Sequence, residues 1–372
     1  MTKRPRQKPA SRMAEVARRA GVSLSTVSRA LSGSPLVSDK TREQIRRTAG
    51  KLGYHVDAVG SSLRTGLTRT IAVVIPLKHA ADQGFSDPFF LEILGALAEE
   101  LAERGYSMLL HKVAEDPSEW VRSIARGRRA DGVIIIGQSL HHESLNELAD
   151  AGYPVVVWGA RLPGQRYVTI GSDNETGGHD ATAHLLEQGC RRIVFLGDSA
   201  APEVGVRREG YLRALREAGI APEAGLEVPV RFGSDTACQA VAALLDAGAD
   251  FDGIFACSDV FAINAMRALA ERGRKVPADV AIVGFDDIPF AALTTPPLTT
   301  IRQNYRTGAR LLVDSLLQKL RGEAPAAVVI PAALVVRASS LRREYRALPS
   351  IPGASASSRA SERTRKLPAS RP

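Results

Sequence analysis

The stretch RMAEVARRAGVSLSTVSRAL, residues 12–31, decides how the rest of the chain is read. Met13, Val16, Ala17 and Ala20 recur at helical spacing, Gly21 interrupts the run, and Ser23 is placed to cap a second helix over 24–31. Two short helices joined by a glycine turn make a helix-turn-helix. At about 100° per residue, Ser28, Ser25, Arg29 and Thr26 fall on one side of the second helix and Ala30, Val27 and Leu31 on the other. An ordinary surface helix is amphipathic too. What favours DNA is the chemistry of the polar face, where short Ser and Thr side chains let the backbone approach phosphates and one Arg can make a two-pronged contact to guanine. This assigns Leu24, Ser25 and Arg29 to the major groove, and Ser23, Thr26 and Ser28 to the DNA backbone.

The charge distribution agrees. The chain has 372 residues, 44% hydrophobic and 24% charged, enough to bury the cores of two or three domains. Its net charge of +9 is uneven: residues 1–69 carry 15 Lys/Arg against 4 Asp/Glu, residues 70–336 carry 25 against 34, and residues 337–372 carry 9 against 2. A basic head on an acidic body suits a protein whose head alone meets phosphate. No apolar run reaches the ~18–20 residues of a membrane span, and no signal-peptide core follows MTKRPRQKPA, so a cytoplasmic protein without a membrane partner is expected. Cys190, Cys238 and Cys257 are odd in number and lack ligand spacing; no disulfide, metal or cofactor is expected.

Residues 1–10 read as a disordered basic arm and 11–56 as the DNA-binding head, with a turn at Ser32, Gly33 and Pro35. A third helix starts at Ser38, turns Ile45, Ala49 and Leu52 inward, and ends at Gly53. The segments EVARRAGVSLSTVSRALSG, VSDKTREQI, KLGY and SSLRTG together resemble the DNA-binding head of the lac repressor family of bacterial transcriptional regulators, a likeness that continues to about Arg342. The resemblance implies a hinge helix and linker over 57–69, with Leu63 and Arg64 in the minor groove and the leucine wedged between base steps. Here the chain departs from the family: Val56-Asp57 and Gly60-Ser61 stand where Pro-Asn and Ala-Arg are usual. Glycine in a helix costs about 1 kcal/mol relative to alanine, so this hinge should be harder to fold.

From Thr70, apolar runs such as IAVVI (71–75), VVVW (155–158) and IVFLG (193–197) alternate with amphipathic helices, which means parallel sheets covered on both faces. The expected fold class is an all-α helix-turn-helix head plus an α/β two-lobed body. The resemblance implies that the body is similar to type I periplasmic sugar-binding proteins, an effector-binding and dimerisation domain over 70–342. It further implies three crossovers, with the segment around 302–325 returning to the first lobe. Residues 343–372, poor in apolar residues, read as a disordered basic tail.

Open parallel sheets bind ligands at the carboxyl ends of their strands. By resemblance, Asp286 after VAIVGF and Arg207 in GVRREGY bind the effector, a pair able to grip sugar hydroxyls as acceptor and donor. Phe89, Phe90, Trp158 and Phe232 offer aromatic faces, and Ser139 and Asp259 further hydrogen bonds. Each has a plainer reading: Phe90 and Trp158 as core, one of Asp286 and Asp287 as a turn cap, Arg207 as partner of a surface carboxylate, Asp173 and Asn174 as helix caps. His141-His142-Glu143 reads as surface rather than as a metal cluster.

Enzyme signatures are missing: no GxGxxG after a strand, no GxxxxGK[ST], no GxSxG and no HExxH. The expected function is a sequence-specific regulator, a homodimer on a pseudo-palindromic double-stranded DNA operator, repressing until a small sugar binds between the lobes. WGARLPGQRY, GSDN and FLGD resemble members of the family that control α-glucoside or maltose use, which implies an α-glucoside effector. The alternatives are a corepressor-dependent regulator or activator of the same family, an architectural DNA-bending protein, and a sugar-binding protein or enzyme with an incidental basic head.

Overall fold

The computed structural model describes residues 9–31, 34, 36–54, 66–76, 84–113, 116–138, 141–233 and 235–342. The hinge residues Leu63 and Arg64, the cleft candidate Ser139, the turn residues Ser32, Gly33 and Pro35, and the tail from 343 lie outside them.

The head is three helices, α1 (Pro9–Ala20), α2 (Leu24–Leu31) and α3 (Asp39–Lys51), around Val16, Val27 and Ile45, which have no exposed surface. The expected arm of residues 1–10 is therefore two residues too long. Proline is pre-organised for the first helical position and lacks only an N–H that would find no partner there, so Pro9 opens a helix rather than ending an arm. Gly21 takes φ +68°, a left-handed conformation open to glycine without strain, and this turns the chain from α1 into α2. Ser38 caps α3 by accepting a hydrogen bond from the Thr41 N–H at 3.3 Å.

The body holds two six-stranded sheets. The first lobe comprises β1 (Thr70–Pro76), α4 (Pro88–Glu103), β2 (Ser107–Val113), α5 (Pro117–Arg126), β3 (Gly132–Ile136), α6 (His142–Asp150), β4 (Val155–Trp158) and β5 (Val168–Ser172). The second comprises α7 (Asn174–Glu187), β6 (Ile193–Leu196), α8 (Pro202–Glu217), β7 (Glu227–Val228), α9 (Thr236–Asp246), β8 (Gly253–Ala256), α10 (Asp259–Glu271), β9 (Ala281–Asp286) and β10 (Thr299–Arg302). Next, α11 (Tyr305–Leu320) and β11 (Val328–Ile330) rejoin the first lobe, and β12 (Ala333–Val335) the second. The sheet orders are β11-β5-β4-β3-β1-β2 and β12-β10-β9-β8-β6-β7, with only the β10–β12 pair antiparallel.

Ile71, Val73 and Ile75 pack with Leu97 and Leu312 on one face of the first sheet, while Ala72 and Val74 pack with Ile124 and Leu148 on the other. A strand buried on both faces must be apolar throughout, which is why IAVVI does not alternate. The chain passes between lobes three times, after Ser172, after Arg302 and after Ile330, as the resemblance implied.

Within the second lobe, α7 packs closely on α8. A Cβ at Gly210 would stand 2.1 Å from the Glu175 carbonyl oxygen, and one at Gly178 2.1 Å from that of Arg207. Both obstacles are backbone and cannot swing away. Gly210→Ala is therefore expected to lower stability by about 2–4 kcal/mol, outweighing the roughly 1 kcal/mol alanine gains as a helix former. The midpoint of urea unfolding measures it.

Candidate functional site

The second head helix presents the polar face expected of it. Leu24, Ser25 and Arg29 are exposed, whereas Val27 and Ala30 are buried. Ser23 Oγ accepts the Thr26 N–H at 3.1 Å and lies 2.8 Å from the hydroxyls of both Ser25 and Thr26, so the helix starts on a hydroxyl cluster. Leu24 keeps 47% of its surface exposed at the helix start, an unusual place for a leucine with no apolar partner to meet. A thymine methyl would supply one. Ser28 is half-buried.

The interlobe cleft is built where the crossovers meet the strand ends. Asp286, the last residue of β9, is buried at 4% exposure with φ +126°, a conformation L-residues rarely adopt. Its Oδ1 accepts the Gln303 side-chain amide at 2.7 Å, and Gln303 Oε1 in turn accepts the Ser172 hydroxyl at 2.7 Å from the first lobe. Arg207, also buried, donates from Nε to Asn174 Oδ1 at 2.8 Å and from Nη1 to the Cys257 carbonyl at 2.5 Å, with its guanidinium 3.7 Å over the Phe285 ring. The surface ion pair considered for Arg207 is thus not what it makes. Burial pushes the Asp286 carboxyl up to about 7, against the opposing pull of Arg207 and Gln303.

The other candidates divide. Phe89 is half-buried, with ring centroids 5.1 Å from Phe90 and 5.8 Å from Tyr305, whose hydroxyl donates to the Asp286 carbonyl at 3.2 Å. Phe90 and Trp158 are core residues of the first lobe, Trp158 lying on α11 where Gly308 leaves room for its ring. Phe232 packs at 4.9 Å on Phe261 at the edge of the second-lobe core. Asp259 is wholly buried, and both its oxygens are engaged inside the second lobe, by the Thr300 hydroxyl at 2.5 Å and the Ile288 N–H at 2.9 Å. Its carboxylate ties β10 and the loop after β9 to the start of α10. Asp287, neighbour of Asp286, turns instead to Arg302 and Arg337, each at 2.6 Å.

His141 is not a surface residue: it is buried at 6% exposure, its Nδ1 4.0 Å from Asp116, because the start of α6 folds against the start of α5. Among the described residues no group of His, Cys, Asp and Glu could hold a metal ion, and no helix is long and apolar enough to cross a membrane. All three cysteines are free and buried, and burial pushes the Cys257 thiol up to about 12.

Residue-type reasoning missed Ser172, Gln303, Tyr305 and Gln138, and gave Asn174 a capping role first. Gln138 follows β3; its backbone N–H donates to Glu203 of the second lobe at 3.2 Å, while its buried side-chain Oε1 has no partner among the described residues. The available signal was position alone, since these residues stand at strand ends or crossovers.

A helix-turn-helix on a two-lobed α/β body with a polar, charged cleft defines a ligand-responsive DNA-binding protein. A family model described as bacterial regulatory proteins, lacI family, matches residues 12–57, and one described as a periplasmic binding protein-like domain matches 182–340. The HTH-type transcriptional regulator CelR of Thermobifida fusca is 34% identical over 342 residues, spanning 90% of this chain and 99% of CelR. The HTH-type transcriptional repressor CytR of Escherichia coli (strain K12) is 32% identical over 325 residues, 86% of this chain and 93% of CytR. Among solved structures, the CelR–cellobiose complex matches with a TM-score of 0.66 at 32% identity, covering 88% of this chain and 99% of that one. The lac repressor dimer bound to operator and the anti-inducer ONPF matches with a TM-score of 0.75 at 26% identity, covering 88% and 98%. The chain belongs to the lacI family of bacterial regulatory proteins, and it is a DNA-binding transcriptional regulator. These relatives are regulators, not enzymes.

Proposed function

We propose that this regulator works in the cytoplasm as a homodimeric repressor on a pseudo-palindromic operator and that a small sugar held between its lobes sets its affinity for DNA. The observation that carries this reading is the buried pair Asp286 and Arg207. The arginine is tethered to Asn174 and Cys257 rather than to the carboxylate, which leaves an acceptor and a donor for the closely spaced hydroxyls of one ring. Phe89 supplies the half-buried aromatic edge. CelR, solved with cellobiose, supports a glucoside, and both linkages belong in the test. Phe290 and Leu293, 57% and 76% exposed on the turn after β9, give the body an apolar spot suited to a second copy.

If effector hydroxyls donate to the ionised carboxyl, effector affinity rises with pH through about 7 and falls below it, by up to tenfold per unit on the acid side. Calorimetry at pH 6 and pH 8 should show weaker binding at pH 6; equal affinities would remove Asp286 from the contact.

The functional test is titration of the purified protein onto a duplex from upstream of its own gene, at two salt concentrations, with a panel including maltose and cellobiose. Selective, salt-sensitive binding released by one sugar is the expected result. Binding strengthened by a ligand would make the protein corepressor-dependent, and no selective binding would overturn the reading.

A further inference from the structure

Among the described residues, four that are not glycine have positive φ: Asp286 and Asp287 in the cleft, and Arg69 and Arg128. Asp131 links the stretches that hold the two arginines. Asp131 accepts the backbone N–H groups of Thr68 at 2.6 Å and Arg69 at 2.9 Å, and its own N–H donates to the Thr70 carbonyl at 2.8 Å. This clamps the turn before β3 to the point where the chain enters the body from the hinge. That turn reads Arg126-Gly127-Arg128-Arg129, with all three arginines exposed and none in an ion pair with a described residue. Asp131, the acidic residue nearest to it along the chain, is already engaged by the N–H groups above. The cationic turn therefore stands out from a body whose own net charge is negative. Arg128 holds φ +47° where glycine would sit without the penalty of about 1–2 kcal/mol, and the glycine stands one residue too early.

We infer that Arg126, Arg128 and Arg129 form a second DNA contact, a patch that meets backbone phosphates flanking the operator while the head reads its bases. The inference rests on the operator-binding reading above. Leu63 is five residues from Thr68, where Asp131 clamps the turn, a span of at most about 18 Å, so the turn is carried within reach of the flanks of any duplex the hinge engages. Guanidinium groups suit phosphate oxygens, and flanking contacts of this kind add affinity without sequence preference.

The test compares the full-length protein with the triple variant R126A/R128A/R129A on two duplexes, the operator fragment trimmed to the footprint of the head and the same fragment with flanks of about one helical turn on each side. Wild type should bind the flanked duplex at least tenfold more tightly than the trimmed one, and the triple variant should bind both alike. The slope of log K against log salt should flatten by about 0.9 for each phosphate that the variant leaves unneutralised. The variant R126K/R128K/R129K, which keeps the charge, should restore most of the difference, whereas a fold defect would not be rescued. Equal affinity of wild type for both duplexes, or a triple variant that keeps wild-type affinity and slope, overturns the proposal. Failure of wild type to bind any upstream duplex selectively overturns the operator reading and the proposal with it.

Discussion

Asp286→Ala is expected to abolish the effector response while leaving operator affinity within a few-fold of wild type. The carboxylate is buried in the cleft, where it accepts the Gln303 amide and lies in the field of Arg207, and removing it leaves buried donors of protein and effector without their acceptor, a loss of about 2–5 kcal/mol in binding. That is roughly 30-fold to several-thousand-fold in effector affinity. DNA affinity should persist because Asp286 belongs neither to the head nor to the turn at 126–129. Asp286→Asn makes the test sharper, since it keeps the shape and can still bond Gln303. The carboxyl has its pKa raised by burial, so between its ordinary value of 3.8 and about 7 the folded state holds a proton that the unfolded state has released. Stability therefore falls as pH rises through that window. An amide does not titrate, and Asp286→Asn should flatten this decline in thermal midpoint while losing the effector. A protein tuned for function at the expense of stability would behave so. Loss of DNA binding together with effector binding would mean that the substitution unfolds the body rather than emptying the cleft.

Arg29→Ala is expected to relax specificity at one base pair in each half-site by about 1–3 kcal/mol, the worth of a two-pronged arginine–guanine contact. Arg29 is exposed in the last turn of α2, on the side away from Val27 and Ala30, and only a long side chain reaches a base edge from there. The measurement is affinity for a set of operators carrying each base at each position. A specificity change confined to one position would assign it to Arg29. Uniform weakening of all sequences, with a smaller salt slope, would make Arg29 a phosphate contact instead.

The head was legible because its signal is local. Gly21, the cap at Ser23 and the apolar spacing from Met13 to Leu31 act within a few turns of helix, and the observed helices follow them, with Pro9 adding two residues at the start. The long buried strands were legible for a similar reason, since IAVVI and VVVW have no plausible exposed conformation. The short strands were not. Thr299 and Thr300 are fully buried although TTIR reads as polar, because Thr299 bonds the Arg337 carbonyl at 2.7 Å and Thr300 bonds Asp259. Partners some 40 residues away in the chain carry no local signal.

The same division runs through the cleft. The family resemblance supplied Asp286 and Arg207 as candidates, and aromatic residue type supplied Phe89. Which way Phe90, Trp158 and Asp259 face was settled by packing: a side chain at a strand end can point into the cleft or back into its lobe, and only the neighbouring layer decides. Ser172, Asn174 and Gln303, which join the two lobes through a run of hydrogen bonds, are ordinary polar residues in an ordinary sequence. They matter because three crossovers bring distant strand ends together. By itself the sequence determined a helix-turn-helix head, a basic-to-acidic charge division and two parallel α/β units, all properties of near neighbours along the chain. The tertiary structure alone decided which polar groups are buried against which, because burial and pairing of that kind depend on contacts between residues far apart in sequence.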